Sequence, residues 1–417
     1  MEIRRDIYLD KLIAAKHNGL IKIVTGIRRC GKSYLLFKLF YDHLRSSGVD
    51  DGHIIRVDLE DRRNKALRDP DALITYIDSH MADDAMHYVM LDEVQNVADF
   101  EDVLNSYLKV TNADLYVTGS NSRFLSHDVV TKFRGRGYEI RVRPLSFAEF
   151  VSAFDGAREE ALDRYLTYGG LPQLLTLPDD GARMDYLQGL FEKTYLTDIK
   201  ERYNIKNDAE LAELLGFVAS SIGGLTNPTK LMNTFRTVKH VSMSANTIKS
   251  YLDIAQDAYL IERSVRYDIK GKRYIDTPAK YYFTDLGLRN ARLSFRQHEV
   301  THLVENLVYN ELRTKGIAVD VGVVVANYKN EEGGSRRQQL EIDFVCNRGN
   351  SRCYVQSALH LPDEAKRQQE VRSLRLVNDN FRKYVITADP VQRYQDDDGV
   401  TYINLYDFLL DRTCPEF

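Results

Sequence analysis

The sequence has little of what marks secreted, membrane-spanning or strongly basic proteins. It contains four cysteines in 417 residues, and none of them forms a C-x-x-C pair, which argues against a disulfide scaffold or a zinc site. No apolar run reaches the roughly 18 residues that a membrane-spanning helix needs. The net charge of −4 argues against a nucleic-acid binder that is basic along its whole length. These absences predict a soluble, cytoplasmic protein with no membrane partner.

The first third of the sequence contains a regular alternation of strand and helix patterns. The strand patterns lie at 20–26, 53–61, 87–93, 114–120 and 138–145, with amphipathic helical patterns between most of them. Such alternation is typical of a parallel sheet covered by helices on both faces. We therefore predict an α/β domain over residues 1–150.

The rest of the chain is predicted to divide into three further parts. Helical periodicity indicates a helical lid over residues 151–235. Residues 236–290 hold a helix followed by two strands joined by the turn "KGK", a pattern that resembles a winged helix. Strand and helix patterns alternate again over residues 291–417, which predicts another α/β domain.

The stretch "VTGIRRCGKSYLL" fits the phosphate-binding pattern G-x-x-x-x-G-K-[ST] and lies between a predicted strand and a predicted helix. Glycines let backbone N–H groups turn toward phosphate oxygens, and the start of the helix adds partial positive charge. We expect Lys32 to contact the β- and γ-phosphates and Ser33 to bind Mg²⁺. A chance match in a surface loop is the alternative. The predicted nucleotide-binding residues of this Walker A loop are Gly26, Ile27, Arg28, Arg29, Cys30, Gly31, Lys32, Ser33 and Tyr34.

A second motif, "YVMLDEVQ", is an apolar strand pattern that ends in two acids. A Walker B pair explains them, with Asp92 holding Mg²⁺ directly or through water. Glu93 would then polarise the attacking water as a general base. The alternative is a polar strand end that caps the next helix.

Polar residues also follow the next strand, in "LYVTGSNSRFLS". In an open α/β sheet this edge is the ligand crevice, so a side chain here could orient the water or sense the γ-phosphate. Thr118, Ser120 and Asn121 lie there, and Asn121 is the preferred sensor. A helix N-cap is the alternative role for Ser120 or Ser122.

Arginines flank a glycine in "TKFRGRGYEI", just before the fifth strand pattern. Breaking the bond to a γ-phosphate needs compensating positive charge, and an arginine finger from a neighbouring subunit supplies it in several ATPases and GTPases. Either Arg134 or Arg136 fits that role from the residues alone. A solvated basic turn is the alternative.

Taken together, "GIRRCGKS", "VMLDEVQ", "VTGSNSRFLS", "FRGRGYEIRVRPLSFAEF" and "YGGLPQLL" resemble the AAA+ ATPases of bacteria and archaea that carry a DUF4143 domain. Their ATPase part is known as an AAA_14 domain, and the resemblance runs nearly end to end. It favours Arg136 over Arg134 as the finger. It also implies that Gly170 and Pro172, in "YGGLPQ", contact the adenine base, whereas a simple helix–helix turn is the alternative.

The last domain resembles the PD-(D/E)xK nuclease fold, whose sites need acids to hold Mg²⁺ and a lysine to stabilise charge. Glu305 and Asp343 supply acids, but the expected E-x-K strand reads Gln356-Ser357-Ala358. We therefore predict a degenerate, nuclease-like domain without nuclease activity. Basic residues near the predicted wing offer phosphate contacts, with a solvated face as the alternative; they are Lys249, Arg266, Lys270, Lys272 and Arg273.

These features predict a Mg²⁺-dependent ATP hydrolase of the AAA+ type that couples ATP binding and hydrolysis to conformational work, with DNA as the expected substrate. A finger in trans implies a homo-oligomer, either a ring or a dimer, with the ATP site at the subunit interface. The alternative function is a nucleotide-dependent assembly or signalling switch that acts on a protein partner. An active nuclease is the least favoured hypothesis.

Overall fold

A computed structural model of the chain describes residues 3–119, 133, 135–203, 205, 208–239, 243–329 and 335–417. The chain divides into two compact units. The first unit consists of Met1–Leu145, Leu171–Thr176 and Asp257–Tyr259. The second consists of Ser146–Gly170, Leu177–Gln256 and Leu260–Phe417.

The first unit is built on a five-stranded parallel sheet with the order β2-β3-β4-β1-β5, which confirms the predicted parallel α/β sheet. Its strands are β1 (Ile21–Thr25), β2 (Ile54–Asp58), β3 (His87–Asp92), β4 (Ala113–Thr118) and β5 (Gly137–Arg141). Its α-helices are α1 (Asp6–Ala14), α2 (Lys32–Tyr34), α3 (Tyr41–Ser46), α4 (Pro70–His80) and α5 (Phe100–Tyr107). A π-helical segment, Leu35–Phe40, joins α2 to α3, and short 3-10 turns lie at Asp51–His53, Arg62–Arg68, Val94–Asn96 and Pro172–Leu175.

The central strands of this sheet are buried on both faces and are largely apolar. All residues of β1 and β3 are buried. A strand buried on both faces reads as a continuous apolar run and not as an alternating one. Local signals fix the helices between the strands: α4 begins with Pro70 in its first turn, and the Asp69 carboxylate accepts the Ala72 N–H as an N-cap.

The second unit begins with a helical region. Its α-helices are α6 (Phe147–Ala153), α7 (Arg158–Tyr168), α8 (Asp180–Leu190), α9 (Thr197–Tyr203), α10 (Asp208–Ser220), α11 (Pro228–Thr234) and α12 (Ala245–Asp257), with π-helical segments at Phe191–Leu196 and Phe235–Lys239. Helix α6 starts with a capping box, in which Ser146 and Glu149 each accept the other's backbone N–H. This region agrees with the helical periodicity read from the sequence.

An eight-stranded mixed sheet follows, with the order β12-β13-β11-β10-β9-β8-β6-β7. Its strands are β6 (Ile261–Asp268), β7 (Arg273–Phe283), β8 (Ala318–Lys329), β9 (Ser335–Arg348), β10 (Ser351–Ser357), β11 (Arg382–Thr387), β12 (Tyr394–Gln395) and β13 (Val400–Asn404). Its α-helices are α13 (Leu286–Arg292), α14 (Val300–Thr314), α15 (Glu364–Arg375) and α16 (Leu405–Leu410).

The pairing of β6 corrects the predicted border at residue 290. We expected the hairpin of β6 and β7 to belong to a separate winged-helix segment over residues 236–290. Instead, β6 pairs in parallel with β8, so that the hairpin forms one end of the sheet that continues to residue 404. The reason is hydrogen bonding: β6 pairs with β8 as well as with β7, and its backbone is satisfied by strands from both sides of the border.

Candidate functional site

The loop between β1 and α2 has the backbone that the phosphate-binding pattern requires. Gly26 has a φ of 141°, and a Cβ atom there would lie 2.1 Å from the Val142 carbonyl oxygen. Gly31, the N-cap of α2, also has a left-handed φ of 97°. Both positions therefore need glycine, since other residues rarely adopt these angles. Arg5 connects the loop to the chain after β5. Its guanidinium donates to the Cys30 carbonyl oxygen in the loop at 2.9 Å and to the Arg143 carbonyl oxygen at 2.7 Å.

Lys32 and Ser33 occupy the first turn of α2. The Lys32 ammonium is buried and donates to the Gly26 and Ile27 carbonyl oxygens, each at 3.1 Å. The Ser33 hydroxyl lies close enough to the Asp92 carboxylate to lower its pKa. The positive side chain is thus held by neutral carbonyl groups of its own loop, and an anion with a full negative charge would attract it more strongly.

Asp92 is the last residue of β3, where the sequence placed it. It is buried and accepts a hydrogen bond from the Thr118 hydroxyl, with the Ser33 hydroxyl also nearby. Burial raises the pKa of Asp92, and the nearby carboxylates of Glu93 and Asp58 raise it further, whereas the two hydroxyls lower it. A cation beside this carboxylate would relieve both effects, which suits a hard metal ion with oxygen ligands.

Glu93 follows Asp92 in a left-handed backbone conformation, with a φ of 52°. Its N–H donates to the Thr118 hydroxyl oxygen at 3.0 Å, and its carboxylate accepts a hydrogen bond from the Gln95 amide. Thr118 therefore contacts both acids of the motif. The sequence analysis named Thr118 but preferred Asn121. Ser120, Asn121, Ser122 and Arg134 lie outside the described residues.

Arg136 lies at the opposite edge of the same sheet from the phosphate-binding loop. Its carbonyl oxygen accepts the Ile21 N–H at 2.9 Å, at the start of β1, while the loop follows the end of β1. Five residues of extended strand separate the two edges by about 16 Å. The Arg136 side chain is exposed.

A cavity of about 220 Å³ lies beside Gly31 in the first unit. Pro172 and Tyr34 line it, Tyr34 with an aromatic ring. The contact of Pro172 with the adenine base, which the resemblance implied, stays a prediction. Gly170, the other candidate, belongs to the second unit, where its N–H donates to the Asp285 carboxylate at 2.8 Å. The cavity is lined by Ile3, Arg5, Gly31, Tyr34, Leu145, Pro172, Gln173 and Thr176.

The second unit contains a cluster of acids around a lysine, of which Glu305 and Asp343 were predicted from the sequence. Glu305 on α14 and Asp343 on β9 lie together, and Glu341, two residues before Asp343, joins them. Between the three carboxylates lies the ammonium of Lys280, from β7. Lys280 was not predicted, although a lysine within an apolar strand pattern is unusual and indicates a buried partner.

One of the basic residues near the predicted wing, Arg266, differs from expectation. Arg266 is buried, and its guanidinium donates to the Gln339 side-chain oxygen at 2.7 Å, because β6 lies inside the sheet. Lys249 instead lines an open cleft of about 750 Å³ in the helical region. Lys270, Lys272 and Arg273 are exposed. The cleft is lined by Asn227, Pro228, Thr229, Lys230, Asn233, Thr234, Thr237, Ala245, Asn246, Lys249 and Thr277.

Comparison with known proteins identifies the family. Residues 18–151 match the AAA domain family AAA_14. The whole chain is 32% identical over 414 residues to an uncharacterized protein of Haemophilus influenzae, with 98% of each chain covered. The chain belongs to the AAA+ family.

Further matches cover either a second part of the AAA+ chain or most of its length. Residues 159–299 match a domain of unknown function, DUF8612, whereas the sequence analysis named DUF4143. An uncharacterized protein of Methanocaldococcus jannaschii, MJ1544, is 26% identical, with 97% of this chain and 90% of that protein covered. The solved structure of the Aeropyrum pernix ORC1 protein in complex with DNA matches with a TM-score of 0.30 and 11% identity, over 70% of this chain and 92% of that one. No described helix is long and apolar enough to cross a membrane.

Proposed function

We propose that this AAA+ chain hydrolyses ATP with Mg²⁺ and couples the nucleotide cycle to conformational work. The observation that carries the proposal is the proximity of Ser33, at the end of the phosphate-binding loop, to Asp92, at the end of β3, whose pKa the Ser33 hydroxyl lowers. It joins the two motifs at the carboxyl edge of the sheet, where open α/β sheets bind ligands. Lys32 lies next to Ser33 in sequence and donates to two carbonyl oxygens of its own loop, each at 3.1 Å.

The side chains present fit a Mg²⁺ ion. Ser33 and Asp92 offer hard oxygen ligands, and the buried Asp92 carboxylate lies near two further acids that raise its pKa. When bound, Mg²⁺ would neutralise charge that develops on the phosphates. Glu93 is the proposed general base, and Thr118 holds its backbone in place through the 3.0 Å hydrogen bond to its N–H.

The position of Arg136 supports assembly of several copies. An arginine about 16 Å from the phosphate-binding loop along the sheet cannot reach a phosphate bound in its own loop. The exposed side chain can reach the loop of a neighbouring copy, as arginine fingers do. We therefore propose a homo-oligomer, a ring or a dimer, in which each chain completes its neighbour's site.

The cavity beside Gly31 is the proposed place for the adenine base. Its walls are largely apolar, with the ring of Tyr34 and the ring of Pro172 beside the start of α2. A flat heterocycle binds well between apolar groups when its sugar-phosphate chain leads to the phosphate site. Gly170 is not needed for this assignment.

Support for DNA as the substrate comes from the open cleft in the second unit. Its lining carries two lysines, several hydroxyl groups and several amides, and no carboxylate stands among the described lining residues. This combination suits the phosphate backbone of a nucleic acid, which binds lysines, hydroxyls and amides. Lys230 and Lys249 are the cations of this cleft.

The test is the rate of ATP hydrolysis by the full chain, with and without Mg²⁺ and with duplex, single-stranded or branched DNA. We expect hydrolysis that needs Mg²⁺ and rises with at least one DNA form, and the rise should be lost in a Lys230→Ala, Lys249→Ala double variant. Hydrolysis that no DNA form changes, together with oligomers that form only with nucleotide, would favour the assembly switch acting on a protein. No hydrolysis at any chain concentration would overturn the proposal.

A further inference from the structure

The acid cluster of Glu305, Glu341 and Asp343 has the make-up of a site for a hard divalent cation. Glu341 and Asp343 are two residues apart on β9 and therefore point to the same face of the sheet. Glu305 reaches the same point from α14. Three carboxylates held this close repel each other strongly unless a cation lies between them.

That cation is part of the chain. The Lys280 ammonium lies 2.8 Å from a Glu305 oxygen, 2.6 Å from a Glu341 oxygen and 3.6 Å from an Asp343 oxygen. The ammonium donates a hydrogen bond to Glu305 and lies within ion-pair distance of the Glu341 and Asp343 carboxylates. Burial lowers the pKa of Lys280, but the three carboxylates outweigh burial and raise it above its ordinary value, so the group stays charged.

The remaining polar groups of the cluster are directed at each other. The Tyr282 hydroxyl donates to the same Glu305 oxygen at 2.7 Å, and the Ser357 N–H donates to Asp343 at 2.9 Å. The Gln356 side-chain oxygen accepts the Asp343 N–H at 3.3 Å, which turns that oxygen toward the backbone. These contacts satisfy the carboxylates without any bound ligand.

Packing also closes the cluster. The Lys280 side chain is 3% exposed, and those of Glu305 and Asp343 are 12% and 10% exposed. Gly223, in the turn after α10, approaches so closely that a Cβ atom there would lie 2.9 Å from the Glu305 carboxylate oxygens. A phosphodiester would need to displace this turn to reach Glu305, whereas the Glu341 side chain is 34% exposed.

We propose that Lys280 is a built-in counter-ion that takes the place of a divalent cation at the acid cluster. The native domain then binds no divalent ion there and does not cleave phosphodiesters. Mg²⁺ binds oxygen ligands at about 2.0–2.1 Å, so an ion shared by all three acids would have to lie where the ammonium lies. Removing the ammonium should convert the cluster into a cation site. This inference does not rest on ATP hydrolysis.

The test is thermal unfolding of the full chain without nucleotide, in EDTA and in millimolar Mn²⁺. All proteins carry Ser33→Ala and Asp92→Asn, so that the nucleotide site contributes no metal binding. We expect Mn²⁺ to leave the melting temperature of this parent unchanged. Lys280→Met should lower it by roughly 5–10 °C in EDTA, because three closely spaced acids lose their shared partner, and Mn²⁺ should restore most of the loss.

Lys22→Met is the matched control. Lys22 is also fully buried, but it pairs with one carboxylate, that of Asp114. Its loss should destabilise the chain without recovery in Mn²⁺, since one carboxylate is a weak metal site. Recovery of both lysine variants to the same extent would mean that Mn²⁺ acts elsewhere, and the proposal would fail.

A second measurement applies even where Lys280→Met does not fold. Electron paramagnetic resonance counts Mn²⁺ ions bound by the parent and by the parent with Asp343→Asn. Equal counts support the proposal. A site lost with Asp343→Asn, or Mn²⁺-dependent cleavage of duplex DNA lost with it, would show that the native cluster binds a metal beside Lys280 and would overturn the proposal.

Discussion

The two regions of the molecule each bury a lysine, and the partners of the two lysines differ in charge. Lys32 donates to two neutral carbonyl oxygens of its own loop, both at 3.1 Å. Lys280 lies between three carboxylates, two of them within 2.8 Å. A hydrogen bond between charged groups is roughly twice as strong as one between neutral groups. Lys32 is therefore available to an incoming phosphate, whereas Lys280 is not.

The difference teaches how to tell a working site from a structural one that uses the same residue types. At the nucleotide site, burial and nearby acids raise the pKa of Asp92, and a bound cation would reverse that cost. At the acid cluster, the chain itself supplies the cation. A variant at the first site should change turnover more than stability, and a variant at the second should change stability more than turnover.

The largest expected effect comes from Arg136, because in the proposed oligomer a neighbouring copy completes the nucleotide site. We expect Arg136→Ala to lower ATP turnover by about 10³-fold while ATP binding is retained, since a finger acts on the transition state. Turnover and nucleotide binding are measured side by side. Arg62→Ala, which changes an exposed arginine of the same unit, is the control.

Mixing variants tests whether Arg136 acts in trans. A chain with Arg136→Ala and a chain with Glu93→Gln each lack one part, so mixed oligomers contain some sites with both parts intact. We expect the mixture to regain part of the activity. Full activity of Arg136→Ala alone would remove it as the finger, and no recovery on mixing would argue for action within one chain.

Lys32→Met should lower turnover by about 10²- to 10³-fold, as the loss of one charged contact to the reacting phosphates does. The free energy of unfolding should change by only about 1 kcal/mol, because the lost hydrogen bonds are to neutral carbonyls. Urea unfolding and steady-state hydrolysis check the two halves of this prediction. A large loss of stability with normal turnover would mean that Lys32, like Lys280, has a structural role, and would contradict the proposed difference between the two lysines.

Glu93→Gln should lower turnover by about 10²-fold with ATP binding intact, because the amide keeps the shape of the side chain but cannot accept a proton. A filter-binding assay for ATP and a phosphate-release assay measure the two properties. Glu60→Gln, at an exposed acid that follows β2, should leave both unchanged. Near wild-type turnover of Glu93→Gln would assign the base to another residue.

The sequence predicted where the two motifs lie in the fold because each motif is local. Gly26, Lys32 and Ser33 lie within one loop, and Asp92 and Glu93 directly follow a buried strand. Thr118 was harder to place, since its contact with both acids depends on the neighbouring strands β3 and β4. Strand β8 was not predicted, although its valine-rich run is typical of a strand.

The acid cluster was only partly predictable because it is assembled over long distances in the sequence. The order of strands in the sheet and the packing of α14 bring Lys280 next to Glu305 and Asp343. No local sequence motif specifies that strand order or that packing. The E-x-K pattern would place its lysine at position 358, where this sequence has Ala358, so the motif gives no indication of Lys280. The same sheet buries Arg266, which a reading of charge alone assigns to the surface.

The smallest expected effect, taken per pH unit, is a change in stability that depends on Glu311, a buried acid outside the Lys280 cluster. Glu311 accepts the Phe147 N–H at 2.7 Å, and burial raises its pKa to about 7, with Glu149 adding to the rise and Lys315 opposing it. The folded chain therefore holds a proton that the unfolded chain releases above its ordinary pKa of about 4.5. The stability that Glu311 contributes is full below that value and is lost as the pH rises through 7.

Glu311→Gln keeps an acceptor for Phe147 but cannot titrate. We expect the free energy of unfolding of the wild-type chain to fall relative to this variant by up to roughly 1.4 kcal/mol per pH unit between the two pKa values. Urea unfolding of both chains at pH 5, 6, 7 and 8 measures the difference, in which the other titrating groups cancel. Parallel curves would mean that Glu311 is ionised throughout, and then Lys315 would have to neutralise it as Lys280 neutralises the acid cluster.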